Sequence, residues 1–392
     1  MIRLLTIIGA RPQIIKAAAI SRAIKAYYAD QIEECILHTG QHYDANMSSI
    51  FFDELGIPQP NYNLKVGSSS HGIQTSRIIE GVEDVLNNAK KEGNPFDGVL
   101  VYGDTNSTLA ATLAAAKIHT PVFHIEAGLR SFNMTMPEEI NRIVCDQLSN
   151  ILFTPTSTGL RNLQQEGFSA NGIKERVRFS NNKKQKVVLS GDIMYDNSMY
   201  FGSIAEKKSD IMQRLNLSYR NFVLATIHRP SNTDNKENLQ SIFTALLDIS
   251  DNEQIDIVLP LHPRTHKILS LQLPQKILDR ISDNKRLKII PPASFLEMIC
   301  LEKKARIVMT DSGGVQKESF FFQTPCVILR PETEWVEIVE SGAGIIADAD
   351  YQRIMRAYTE LVEKKVHFQS IFGDGHASEM ILKEIINFHK QK

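Results

Sequence analysis

Short apolar runs alternate along this chain with longer amphipathic stretches. Arg3–Ile8, Glu34–His38, Gly98–Tyr102, Pro121–Ile125 and Ile151–Phe153 are β-rich and largely unbroken by polar alternation, and Lys186-Val-Val-Leu-Ser-Gly-Asp-Ile-Met-Tyr195 reads as a further strand and a helix start. That is the pattern of strands buried on both faces of a parallel sheet. Between them lie an alanine-rich segment after Lys16, a segment with Ile73, Ile78, Val82, Val85 and Leu86 at helical spacing, and Leu109–Ala116 as a crossover helix. A second series of runs, Asn221–Ile227, Ile255–Leu259, Leu287–Ile290, Arg306–Met309 and Cys326–Leu329, repeats the alternation. Ser169–Lys186, rich in Asn, Lys, Arg and Ser, reads as a surface insertion, and the charged, small-residue stretch Ser203–Asp210 as a linker. The expected fold class is α/β, with two Rossmann-like domains built on parallel sheets, residues 1–202 and 203–375, and an active site in the cleft between them.

Candidate chemistry gathers where these strands should end, which is where open α/β sheets bind ligands. Gly98–Tyr102 runs into Gly103-Asp104-Thr105, and Pro121–Ile125 runs into Glu126. After a glycine turn come Arg130 and then Pro137-Glu138-Glu139, a proline-led helix start. Each acid also has a plainer reading, Asp104 as a helix N-cap and Glu138 and Glu139 as complements to a helix dipole. Two successive strands that both end in an acid favour a site. The first strand leads into Gly9-Ala-Arg-Pro-Gln-Ile-Ile-Lys16, where Arg11 and Lys16 offer cations beside free helix N–H groups, suited to a phosphate or a carboxylate. His42 and Asp44 follow the second strand. In the second series His228-Arg229 and His262-Pro-Arg264 occupy equivalent strand ends. Thr310-Asp-Ser-Gly-Gly314 exposes consecutive backbone N–H groups suited to a diphosphate, with Glu318 a turn later placed for ribose hydroxyls.

Composition narrows the partners. A net charge of -1 over 392 residues argues against a broad nucleic-acid footprint. No apolar stretch approaches the roughly 20 residues that span a bilayer, so no membrane association and a cytoplasmic location are expected. Cys35, Cys145, Cys300 and Cys326 lack paired spacing and read as reduced core residues, with no metal implied.

Taken in order, Gly9-Ala-Arg-Pro-Gln…Lys16, Gln41-His42, Gly103-Asp104-Thr105, His124-Ile-Glu-Ala-Gly-Leu-Arg130, Pro137-Glu-Glu-Ile-Asn-Arg142, His228-Arg229, Asp311-Ser-Gly-Gly314…Glu318 and Phe372-Gly-Asp-Gly375 resemble the non-hydrolysing UDP-N-acetylglucosamine 2-epimerases over nearly the whole chain. The resemblance implies a glycosyltransferase-B-like fold whose C-terminal helix, residues 376–390, returns to the first domain. It implies a homodimeric enzyme of cell-surface polysaccharide biosynthesis. That enzyme would invert C2 of a UDP-2-acetamido sugar, UDP-N-acetylglucosamine to UDP-N-acetylmannosamine, without metal or other cofactor, by eliminating UDP to a 2-acetamidoglucal and re-adding it. Matching positions imply acid/base roles for Asp104, Glu126 and Glu138, and support of the departing diphosphate by His228 with Arg11. They imply UDP binding by Ser312, Gly313, Gly314 and Glu318, and further binding positions at Lys16, Arg142 and Arg330. Some bacterial relatives have a regulatory nucleotide-sugar site; Gln41 and Arg77 match it, but Asp44 stands where those enzymes carry glutamine.

Departures from the usual pattern bear on the sugar. Arg11-Pro-Gln13 and Thr333-Glu-Trp-Val-Glu337 replace Arg-Pro-Glu and Thr-Glu-Arg-Pro-Glu, and with Asp192-Ile-Met-Tyr195 they resemble the branch acting on UDP-2,3-diacetamido-2,3-dideoxyglucuronate. Loss of a negative charge at Gln13 is expected to tolerate an extra carboxylate on the sugar. Trp335 would exchange a cation for a flat apolar surface. A glycosyltransferase of the same fold, a hydrolysing relative and a silent nucleotide-sugar-binding protein are the rival readings.

Overall fold

The structure is a computed structural model that describes residues 1–41, 52, 56–168, 185–261 and 263–391. His42, Asp44, His262, the side chain of Arg264 and most of the stretch read as an insertion lie outside the described residues. By their contacts the described residues form two compact units, Met1–Asn197 with Ile371–Lys392, and Ser198–Ser370.

The first unit holds a seven-stranded sheet of β1 (Ile2–Ile8), β2 (Ile32–His38), β3 (Tyr62–Asn63), β4 (Gly98–Tyr102), β5 (Val122–Ile125), β6 (Ile151–Thr154) and β7 (Lys186–Leu189). The order is β3-β2-β1-β4-β5-β6-β7 and the pairings are parallel. Strands β1, β4 and β5 are buried almost throughout, as their unbroken apolar runs require. The His71–Lys91 helix lays Ile78, Val82 and Leu86 on this sheet, and the Asn106–Lys117 helix packs its buried Ala110, Ala111, Ala114 and Ala115 closely against it. Gly98 is required by a neighbour within the sheet: a Cβ there would lie 2.4 Å from the Phe123 ring of β5.

The C-terminal helix, Ala377–Lys390, belongs to this unit. The Asp196 carboxylate accepts from the Ala377 and Ser378 amides (3.0 and 2.8 Å) and from the Ser378 hydroxyl (2.7 Å), and so satisfies its otherwise open N-terminus. At its far end Phe388 meets Phe123 edge to face at 5.4 Å.

The second unit holds β8 (Phe222–Thr226), β9 (Asp256–Pro260), β10 (Leu287–Ile290), β11 (Ile307–Thr310), β12 (Cys326–Ile328) and β13 (Gly344–Ile346), in the order β10-β9-β8-β11-β12-β13 and again parallel. Leu239, Phe243 and Leu246 of the Lys236–Glu253 helix join Val223, Ile257 and Met309 in its core. The stretch Ser203–Asp210, expected as a linker, is instead mostly the end of a continuous helix, Ile193–Lys208. Its lysines and acids suit a solvated helix face as well as a loop, so composition alone could not separate the two.

In each sheet the strand order reverses once, between β1 and β4 and between β8 and β11. Chains leave these neighbouring strands to opposite sides and open a crevice at their carboxyl ends. The helix start after β1 carries Arg11 and Lys16 and the turn after β4 carries Asp104; the turns after β8 and β11 carry His228 and Ser312.

Candidate functional site

The first half-site is built from three strand-end turns. After β1, Gln13 is buried and its amide is committed to the main chain. Its Oε1 accepts from the Gly9 and Ala10 amides (2.9 and 3.1 Å), and its Nε2 donates to the Tyr102 carbonyl (2.9 Å) and to Thr108 (3.0 Å). This side chain fixes the start of the Arg11–Ala23 helix against β4. The expectation that Gln13 tunes charge near a bound anion is therefore replaced by a structural role, since both ends of the amide are used within the protein. Arg11 is exposed on the first helical turn, whereas Lys16 is buried and ion-paired with Glu126.

Gly103, after β4, has φ of 65°, and a Cβ on it would lie 3.1 Å from Glu126 Oε2 and 3.3 Å from Lys16 Nζ. Glycine meets both the left-handed backbone and the close approach of that ion pair. Its amide donates to the Ile125 carbonyl at 2.9 Å. Asp104 comes next, its backbone carbonyl accepting from Asn141 Nδ2 (2.8 Å) and its carboxylate from Arg142 (2.5 Å). Burial raises the Asp104 carboxyl above its usual range; Arg142 and Lys16 oppose the shift, and Glu126 adds to it. Thr105 Oγ1, accepting from the Thr108 amide at 3.3 Å, is the cap of the next helix, which leaves the Asp104 carboxylate for other work.

Glu126, after β5, adopts φ of 71°, rarely seen in a residue with a side chain. Such a conformation costs on the order of 1–3 kcal/mol and persists where its surroundings hold it. Here the surroundings are Lys16 and the bare Cα of Gly103.

The Pro137–Leu148 helix separates its two leading acids. Glu139 is buried and accepts from the Ser131 amide (2.9 Å), the Ser131 hydroxyl (3.1 Å), the Phe132 amide (3.0 Å) and Arg142 (2.8 Å). Burial alone would raise its carboxyl, but these donors prevail and hold it below the usual carboxylate range. Glu138 is exposed on the same turn. Arg142 thus bridges Asp104 and Glu139, so Asp104, Glu126, Lys16 and Arg142 come together around Gly103.

In the second half-site the buried Asp311 carboxylate organises two turns. It accepts from the His228 amide (3.1 Å), the Arg229 amide (3.0 Å) and Asn232 Nδ2 (3.1 Å), and it lies 3.0 Å from His228 Nδ1. Burial would raise Asp311, but these contacts, His228 foremost, hold it low. An imidazole engaged through Nδ1 presents its other nitrogen, and the His228 side chain is 58% exposed. Ser312 caps the Gly313–Phe321 helix. Gly314 is exposed, while a Cβ on Gly313 would meet the Glu334 carboxylate at 3.4 Å. Glu334 accepts from Arg330 at 2.8 Å, so this buried arginine stands beside the same helix start. Glu318 is half-buried on that helix, and its charge, after burial, helps push the neighbouring Glu302 carboxyl well up. Trp335 is itself buried, with the Lys317 ammonium 4.2 Å over its ring, so the expected open apolar surface is a cover for a lysine.

Sequence reasoning did not assign roles to Asp311, Glu139 or Glu334. For Asp311 a signal was present, since it ends β11 as Asp104 ends β4. Among the described residues no cluster of His, Cys, Asp and Glu is arranged to hold a metal ion, and no helix is long and apolar enough to cross a membrane. All four cysteines are buried and free.

Two parallel-sheet α/β units, each with charged side chains and glycine turns at its switch point, define a protein of the glycosyltransferase-B-like class. A plant UDP-sugar complex, UGT2 of Phytolacca americana, shares this fold alone, at 11% identity and a TM-score of 0.60. The family described as UDP-N-acetylglucosamine 2-epimerase matches residues 25–386, and the chain belongs to that family. It is 44% identical to a UDP-N-acetylglucosamine 2-epimerase homolog of Methanococcus maripaludis, over 98% of this chain and 99% of the relative. It is 45% identical to the UDP-2,3-diacetamido-2,3-dideoxy-D-glucuronate 2-epimerase of Pseudomonas aeruginosa, over 97% and 98%. The crystal structure of the Methanocaldococcus jannaschii UDP-GlcNAc 2-epimerase in complex with UDP-GlcNAc and UDP is 38% identical, with a TM-score of 0.81 over 98% of this chain and 100% of that one.

Proposed function

We propose that the protein inverts C2 of a UDP-2-acetamido sugar, converting UDP-N-acetylglucosamine to UDP-N-acetylmannosamine. The observation that carries this reading is the convergence of Asp104 and Glu126, each paired with a cation, on the turn at Gly103. A carbon-bound proton at C2 is weakly acidic, and its removal calls for a base with a raised pKa; Asp104 is raised by burial. As that proton leaves, the C1–O bond breaks with its electron pair going to the diphosphate, and a C1=C2 double bond forms. The diphosphate oxygen then attacks C1 again, and a proton is returned to the opposite face of C2. Two faces call for two acid/base groups, or for one group and a sugar that moves. Asp104, Glu126 and Glu138 supply the candidates.

On this reading Ser312, Gly313, Gly314 and Glu318 hold UDP, Arg330, Arg142 and Lys16 provide further binding charge, and His228, oriented by Asp311, supports the departing diphosphate with Arg11. Incubation of UDP-N-acetylglucosamine with the protein in D₂O, followed by NMR, tests it. Epimerisation puts deuterium at C2 with UDP still attached, whereas free N-acetylmannosamine would show hydrolysis and an untouched C2 would leave only the transferase or binding readings.

A second substrate, UDP-2,3-diacetamido-2,3-dideoxyglucuronate, is favoured by the 45% identity to the Pseudomonas enzyme. Competing the two at equal concentration decides between them. A preference below about tenfold, about 1.4 kcal/mol in the transition state, would mean that the sugar is not strongly selected. A cytoplasmic homodimer supplying an activated sugar for cell-surface polysaccharide completes the proposal on family resemblance, and light scattering of the purified chain tests the dimer.

A further inference from the structure

Beneath the first half-site His124, Asp146 and Arg130 form a buried polar network that reaches the part-exposed Glu166. His124, in β5, has no exposed surface, yet both its ring nitrogens face acceptors. Nε2 is 2.8 Å from the Gly103 carbonyl and Nδ1 is 2.8 Å from Asp146 Oδ1. The second Asp146 oxygen accepts from the Gly128 amide at 3.1 Å and pairs with Arg130 at 2.8 Å. Arg130 in turn forks onto Glu166 at 2.6 and 2.8 Å, and its pairing with these two carboxylates holds it charged despite burial.

A backbone carbonyl only accepts, so Nε2 must donate. The other nitrogen could accept only if Asp146 Oδ1 carried a proton, and the second oxygen of that carboxylate already accepts from the Gly128 amide and pairs with the Arg130 cation.

The geometry touches two of the three turns of the half-site, those after β4 and β5. The Gly103 amide donates to Ile125 and its carbonyl accepts from His124, so both peptides of Gly103, the second leading into Asp104, are pinned to β5. Asp146 secures Gly128, two residues beyond Glu126. We propose that His124 is held as an imidazolium donating through both ring nitrogens, and that it is the positioning residue that fixes the Gly103–Asp104 turn against Glu126. Its effect on turnover rests on the epimerase reading; its protonation does not.

The test joins a spectroscopic and a kinetic readout. In the full chain labelled with ¹⁵N-histidine, long-range proton–nitrogen correlation at neutral pH shows which ring nitrogens carry hydrogen, His124 being assigned through contacts to the Gly103 and Gly128 amide protons. Hydrogen on both is expected, and a bare nitrogen overturns the proposal whether or not the protein turns over a sugar. The amide of His124→Gln can serve one partner but not both. Its kcat is expected to fall roughly 10- to 100-fold with KM little changed, as misplacement of a reacting group by a fraction of an ångström does. A His124→Gln enzyme that melts earlier but keeps its kcat would reduce His124 to a structural residue and overturn the positioning role. Wild-type protein with both nitrogens protonated and no epimerase activity would instead defeat the epimerase reading and leave the ring assignment standing. Should His124→Gln not fold, the wild-type ring signal decides.

Discussion

Two adjacent glutamates on one helical turn show how little a residue's identity settles by itself. Glu139 is spent on Ser131, Phe132 and Arg142, while Glu138 stays exposed. Glu139→Gln is therefore expected to lower the melting temperature, and Glu138→Gln to leave it unchanged while reducing turnover, as thermal melts beside rate assays will show. The sign of the pH effect is set by the lowered carboxyl of Glu139. Its stabilisation is present above the unfolded carboxylate value and is lost as pH falls through the folded one, so melting of Glu139→Gln should depend less on pH at the acid end. Asp104, raised by burial, has the opposite sense: its contribution to stability is lost as pH rises through the folded value. As a base, however, it becomes active over that same rise. Asp104→Asn and Glu126→Gln should each lose about 10²- to 10⁴-fold in kcat, and wild-type turnover in both would remove their assignment. Gln13→Glu sets a carboxylate against the Tyr102 carbonyl and is expected to lower stability by about 1–3 kcal/mol. It should not change the preference between the two UDP sugars, and a changed preference in the competition assay would return Gln13 to the binding site.

At the scale of elements, the candidate residues sit at or just beyond the carboxyl ends of β1, β4, β5, β8 and β11. Gly103→Ala meets a left-handed backbone and the Lys16–Glu126 pair together. It should cost about 1–2 kcal/mol in stability and lower kcat, because the Cβ must displace one of those charges. An alanine enzyme with unchanged kcat would show that the pair can move aside freely. The parallel strands were legible because they are unbroken apolar runs. Strand β3 was not, since two residues, Tyr62–Asn63, are too short to carry a pattern, and β13, Gly344–Ile346, was not, since a glycine opens it and leaves only two apolar residues. The end of the Ile193–Lys208 helix was misread as a linker because a solvated helical face and a loop share one composition.

For the whole molecule, the carboxylates and their cations lie in one unit and the capped glycine turn with His228 and Asp311 in the other, and on the proposed function their tasks separate. Glu318→Gln should weaken UDP binding measured by calorimetry, while Asp104→Asn should bind UDP as wild type does. Equal loss of UDP affinity in both would refute that division. The sequence by itself determined the α/β class, the alternation that makes parallel sheets, and the strand-end motifs, because apolar periodicity and glycine turns are local properties of the chain. Tertiary structure alone decided which of Glu138 and Glu139 is buried, that Gln13 is tied to β4, that Trp335 covers Lys317, and that His124 faces two acceptors. Each of those outcomes depends on partners remote in sequence or on the direction a side chain takes from its backbone, and the order of residues along the chain records neither.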